Sequence, residues 1–157
     1  MGVSTDGHIS YGIPFEEGQD FPWGEYEFEQ WWYQRLGFKY SFECYDEKGD
    51  YLPGMTHEDA RRRYDEYDAF KKIHGKPPFD VINYCSDSCP MYMIVLRRTY
   101  VCAKRGYPSQ LDPSIMQVSP EERQTLIDFC RENIPQSEYP KFPPLEPQWY
   151  LSSYWST

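Results

Sequence analysis

At 157 residues the chain has the length of one domain, long enough to bury roughly two thirds of its unfolded surface, and its 18% aromatic content points to a core of Tyr, Phe and Trp. A net charge of −9 has the wrong sign for a nucleic-acid groove. The longest apolar run, Met91 to Leu96, is far short of the ~20 residues that span a bilayer, so neither direct nucleic-acid binding nor membrane insertion is expected.

The pattern HISYGI, closed by Gly12 and Pro14, predicts a first strand over His8 to Ile13. A helix is predicted over Glu25 to Leu36, where Phe28, Trp31, Trp32 and Leu36 recur at helical steps, three glutamates favour the positive end of the dipole and Gly37 ends the run. Phe38 to Tyr45 reads as a second strand. Thr56 with Asp59 three residues on is a variant capping box, which starts a helix running to Gly75 with Ala60, Tyr64, Tyr67 and Phe70 as its apolar stripe. Phe79 to Tyr84 and Met91 to Ala103 form the best strands, read as a hairpin at the sheet centre. Ser119-Pro120-Glu121-Glu122 supplies an N-cap, a first-position proline and a third-position glutamate for a helix that buries Leu126, Ile127, Phe129 and Cys130. Gln148 to Trp155 is a last strand, expected inside the sheet because exposing Trp149, Leu151 and Trp155 would be costly. The prediction is a single α+β domain over residues 1–157: a mixed, mainly antiparallel sheet with about three covering helices and a Pro-rich connection at 135–147.

The first 34 residues carry seven acids and no Lys or Arg, together with nine aromatics from Tyr11 to Tyr33. Residues 1–78 hold −7 of the net charge and residues 79–157 only −2. Acid repels phosphate, while Trp and Tyr anchor protein interfaces, so this stretch reads as a protein-binding surface for a basic partner. Its candidate residues are Glu16, Glu17, Asp20, Trp23, Glu25, Glu27, Glu29, Trp31 and Trp32, with the tryptophans as anchors where exposed. A solvated acidic face that aids solubility is the plain alternative, and much of the aromatic content has a core explanation.

No residue is assigned a catalytic, metal or cofactor role. The five cysteines are an odd number, and MGVSTDGH has neither the basic nor the apolar region of a signal peptide, which together fit a reducing cytoplasm. Asp6, where Ser or Thr is required, argues against myristoylation of Gly2. Cys85, Cys89 and Cys102 lack the second ligand pair of a zinc site and read as free thiols near a turn that Ser86 and Asp87 bond locally. Ser4, Asp6 and His8 would share one face of a strand, but no nucleophile elbow accompanies them. Arg61 to Arg63 read as a solvated helix face. Arg97 and Arg98, mid-strand, should point to opposite sides, making one a candidate for a buried or interfacial ion pair.

Gly2 to Asp6, Ile9 and Tyr11-Gly12, then Cys85-Ser86 and Pro90-Met91-Tyr92, Ala103 to Pro108, and the terminal Trp149 to Trp155 resemble a group of small uncharacterised proteins encoded by tailed bacteriophages and prophages. The resemblance implies the cytoplasm of an infected bacterium and carries no catalytic residues. The expected function is a non-enzymatic binding protein that inhibits a host protein, perceived as a host-takeover or counter-defence factor of the class that includes anti-CRISPR proteins. Two alternatives stand beside it: a small hydrolase or nucleotide-handling enzyme using Asp6 and His8 with His57 or Asp87, and a virion or assembly component. The oligomeric state is not readable from the residues.

Overall fold

The computed structural model describes residues 4–15, 21–24, 28–39, 51–135 and 145–156. Its fold is α+β, built on strand β1 (Ser4–Pro14), which is bonded along both edges. One edge pairs antiparallel with β5 (Gln148–Ser156), from Ser4 opposite Ser156 to Gly12 opposite Gln148. The other edge is shared by β3 (Tyr92–Leu96), opposite residues 12–14, and β4 (Val101–Ala103), opposite residues 7–9. β2 (Phe79–Asn83) pairs antiparallel with β3 and is outermost on that side. The hairpin expected at the sheet centre therefore lies to one side of it, because β1, with a partner on each edge, takes the middle. Among the described residues the paired strands are antiparallel, and an isolated bridge between Ser86 and Trp155 is parallel. At Gly12 the strands approach so closely that a Cβ would stand 2.3 Å from the Ile94 carbonyl oxygen.

The strand expected from Met91 to Ala103 is broken by one turn of 3-10 helix, Arg97–Thr99. Thr99 explains the break. Fully buried, it accepts the Tyr11 N–H on its hydroxyl at 3.0 Å and donates that hydroxyl to the Leu96 carbonyl at 2.7 Å, so a side chain replaces the ladder partner of β1. Arg97 and Arg98 thus leave a turn and do not alternate across a strand. Arg97 reaches Asp80 at 3.5 Å, and Arg98 grips Glu122 through two nitrogens at 2.6 and 2.7 Å.

Alternation gives the sheet two different faces. Phe79, Ile94, Leu96, Ile13 and Phe15 turn toward α3 (Pro120–Asn133), where Phe129 stacks on Phe79 at 4.4 Å and Leu126 and Cys130 are fully buried. The Ser119 capping box forms as predicted, with hydroxyl and carboxylate each taking the other's backbone N–H. The opposite face carries a smaller cluster of Ile82, Met93 and Val95 flanked by Tyr84, Tyr100 and Tyr150. The last strand is in the sheet as predicted, yet Leu151 is 84% exposed and Trp155 51% exposed, because joining a sheet edge satisfies the backbone without covering every side chain.

Contacts divide the chain into two compact units, Met1–Glu25 with Pro78–Thr157, and Tyr26–Pro77. The second contains α1 (Phe28–Arg35) and α2 (His57–His74). Thr56 and Asp59 cap α2 reciprocally, and Gly75, at φ 69°, ends it where other residues would be strained. Tyr33 is fully buried against Tyr67 and Phe70 and donates its hydroxyl to the Gly75 carbonyl at 2.9 Å, so α1 is pinned to the end of α2. Phe38, expected to open a strand, is buried on the same two rings, and residues 40–45 of that expected strand lie outside the described residues. Tyr64, assigned to the apolar stripe, is 46% exposed.

Candidate functional site

β1 and β5 bring polar side chains together on the face away from α3. The register sets Ser10 opposite Tyr150, His8 opposite Ser152 and Asp6 opposite Tyr154, while Cys102 faces His8 from β4. The His8 ring stacks against Tyr154 with centroids 6.0 Å apart and meets the Tyr100 ring edge-on at 5.3 Å. Its Nδ1 lies 3.4 Å from the Tyr100 hydroxyl. Tyr154 in turn donates its hydroxyl to Asp87, in the turn after β2. Asp6, Asp87 and His8, proposed as catalytic partners, are therefore gathered around one tyrosine, whereas His57 lies in the other unit, exposed, with Tyr51 edge-on to it.

The electrostatics of this cluster favour neutral groups. Burial pulls the His8 pKa below its ordinary 6.5, against the Asp6 carboxylate, which favours the charged form. Burial also pushes Tyr100 up to about 12, and the hydrogen bond to Asp87 raises Tyr154. Only 6% of His8 is exposed. A neutral imidazole with Tyr154 stacked on one face and Tyr100 perpendicular to it presents little of its surface to a substrate. Neighbouring polar groups are similarly committed: Ser10 donates to the Met93 sulfur at 3.5 Å, and the Asp6 carboxylate accepts the Arg105 N–H at 3.1 Å. Ser152 differs, since its buried hydroxyl oxygen has no partner among the described residues.

The partner-binding candidates are distributed differently from the expectation. Glu16, Glu17, Asp20, Glu25 and Glu27 lie outside the described residues. Trp23 is only 7% exposed, stacked between Phe21 at 5.1 Å and Phe129 at 6.2 Å, so it serves the core under α3 and is not an exposed anchor. Glu29, Trp31 and Trp32 share α1 and are each half-buried. Phe28 tilts against both tryptophans, Arg35 sits over Trp31 with 4.9 Å to the ring centroid, and Glu29 accepts the Tyr67 hydroxyl at 3.5 Å. Structure thus keeps three of the nine candidates on one helix and removes Trp23 from them.

A cavity of about 450 Å³ opens beside the end of β5, walled by Tyr84, Cys85, Ser86, Met91 and the exposed Trp155. Its walls are mainly apolar. Cys85, Cys89 and Cys102 are half-buried free thiols, and among the described residues no group of three or more His, Cys, Asp or Glu is placed to hold a metal ion. Asp87, expected to bond its own turn, reaches Tyr154 instead, while Ser86 accepts the Cys89 N–H as expected. Comparison with family models, curated proteins and solved structures finds no match. Tyr100 and Tyr154, which close the cluster, were not singled out from the sequence. The available signal was the alternation Tyr150, Ser152, Tyr154, which places three polar-tipped side chains on one face of the last strand.

Proposed function

We propose that the chain is a bacteriophage-encoded, non-enzymatic binding protein that inhibits a host protein in the bacterial cytoplasm, as host-takeover and counter-defence factors such as anti-CRISPR proteins do. The observation that carries this reading is on α1, where the Glu29 carboxylate shares an eight-residue helix with the partly exposed indoles of Trp31 and Trp32. Large aromatic side chains anchor interfaces at about 2 kcal/mol or more each, and carboxylates around them raise the association rate with a basic surface. The charge of the region supports the same partner, a basic host protein of the kind that binds nucleic acid, since residues 1–78 hold most of the net −9. No nucleic acid or membrane contact belongs to the proposal.

The second reading, a small hydrolase, draws on the gathering of Asp6, His8 and Asp87 around Tyr154. It is the weaker of the two because His8 is buried, with Tyr154 stacked on one face and Tyr100 perpendicular to its ring. Affinity capture from host lysate on the immobilised chain, eluted with rising salt, tests the first. The expected result is one predominant host protein, released by salt and not retained by the Trp31→Ala/Trp32→Ala double variant. Retention that ignores both salt and the double variant would overturn the reading.

A further inference from the structure

The cavity of about 450 Å³ lies where the turn after β2 is tied to the end of β5. Trp155 donates its N–H to the Cys85 carbonyl at 3.0 Å, and Tyr154 donates its hydroxyl to Asp87, so the turn is fastened to the last residues of the strand. One step back, at Ser153, the strand edge is open. Tyr11 and Phe15 turn their N–H groups toward Thr99 and Tyr92, so the even-numbered residues of β1 bond β5 and the odd-numbered residues of β5 direct their backbone groups outward. The N–H and C=O of Ser153 thus stand on the cavity side, and among the described residues neither has a partner. The other walls include the ring- and sulfur-bearing residues Tyr84, Cys85, Met91 and Trp155, the last 51% exposed. Tyr84 has given its hydroxyl to the Phe15 carbonyl at 3.0 Å, which holds its ring in place. Ser86 and Ser88 add hydroxyls 3.3 Å apart, and among the described residues no acidic, basic or histidine side chain lines the space.

We propose that this cavity binds a small, neutral aromatic molecule carrying one hydrogen-bonding group. Its volume falls within the range of about 300–1,000 Å³ typical of small-molecule sites, and apolar walls with a few convergent polar groups are their usual lining. Rings and sulfur atoms favour an aromatic occupant, which stacks on the first and makes polarisable contacts with the second. Charge is selected against. An ion entering here would lose its water without gaining a counter-charge, and the chain's net −9 adds repulsion for an anion. The hydrogen-bonding group of the ligand would meet the Ser153 backbone, and its ring would cover the Trp155 indole. A peptide strand running along β5 would be stopped by the bond from Trp155 to Cys85, so the space suits a compact molecule and not a continuing chain. This site is separate from the partner surface on α1.

Two naphthalenes of the same ring size test this on the full chain: neutral 2-naphthol and anionic 2-naphthalenesulfonate. Calorimetric titration should show saturable binding of 2-naphthol and binding of the sulfonate weaker by about tenfold or more. The thiols report where the ligand sits. Cys85 lines the cavity while Cys89, a half-buried free thiol of the same turn, does not. With 2-naphthol free at about ten times its Kd, alkylation of Cys85 by iodoacetamide, followed by peptide mass spectrometry, should slow about tenfold while that of Cys89 is unchanged. Trp155→Ala removes an exposed wall and keeps the backbone bond to Cys85, and it should weaken 2-naphthol binding about tenfold. No saturable binding of 2-naphthol, equal binding of the sulfonate, or binding that leaves Cys85 alkylation unchanged or slows Cys89 equally would overturn the proposal, as would unaltered affinity in Trp155→Ala.

Discussion

The two faces of the sheet are made by alternate residues of the same strands, yet they are sealed by different chemistry. Toward α3 the contacts are apolar and aromatic: Phe79 on Phe129, Phe129 on Trp23, and Ile13, Ile94 and Leu126 at 1% exposure or less. On the other face the seal passes through polar atoms, from Tyr100 to His8 to Tyr154 to Asp87. Apolar burial is indifferent to pH and direction. A seal of tyrosines around an imidazole depends on geometry and on the imidazole staying neutral. The first face therefore holds the fold, and the second fixes how β5 and the turn after β2 are joined.

The largest effect should come from the apolar face. Phe129→Ala removes the ring shared by Phe79 and Trp23 and should cost about 3–5 kcal/mol, read as a lower urea midpoint at every pH. The polar face should show itself through pH. Because the folded pKa of His8 lies below its ordinary 6.5, the unfolded chain takes up the proton first. Stability from this group is complete above that value and falls as pH drops below it. His8→Phe, measured by urea unfolding across this range, should flatten that part of the pH dependence. An unchanged profile would mean that the ring is not buried as described. The smallest effect belongs to Arg98 and Glu122. Their pairing and the Ser119 N–H hold the Glu122 pKa down to about 2, so its contribution persists above the ordinary 4.5 and is lost as pH falls toward 2. Both side chains are more than a third exposed or close to it, so Glu122→Gln should cost no more than about 1 kcal/mol at neutral pH.

Local signals were readable from the residues, and distant ones were not. Thr56 with Asp59 and Ser119 with Glu122 announced both helix starts because a cap is decided within four residues. The break at Arg97–Thr99 could not be read, since its cause is the Tyr11 N–H, 88 residues away. Leu151 and Trp155 were expected to be covered because they are hydrophobic, but period-two patterning does not say which strand of a sheet will be last. The same limit applied to the candidate site. Asp6 and His8 were identified as a pair on one strand face, while the tyrosines that close over His8 come from positions distant in the chain. Trp32 was read in the apolar run of a helix and Trp23 outside it, and packing reversed the two: Trp23 stacks beneath α3 and Trp32 remains half-exposed on α1.

The central claim is that the chain acts by binding through α1 and not by chemistry at His8. Its most direct test is calorimetric titration of the captured host protein with the full chain, with Trp31→Ala/Trp32→Ala, and with Asp6→Asn. The account predicts binding about tenfold or more weaker for the tryptophan pair and unchanged for Asp6→Asn. Unchanged binding by the tryptophan variant together with loss in Asp6→Asn would contradict it.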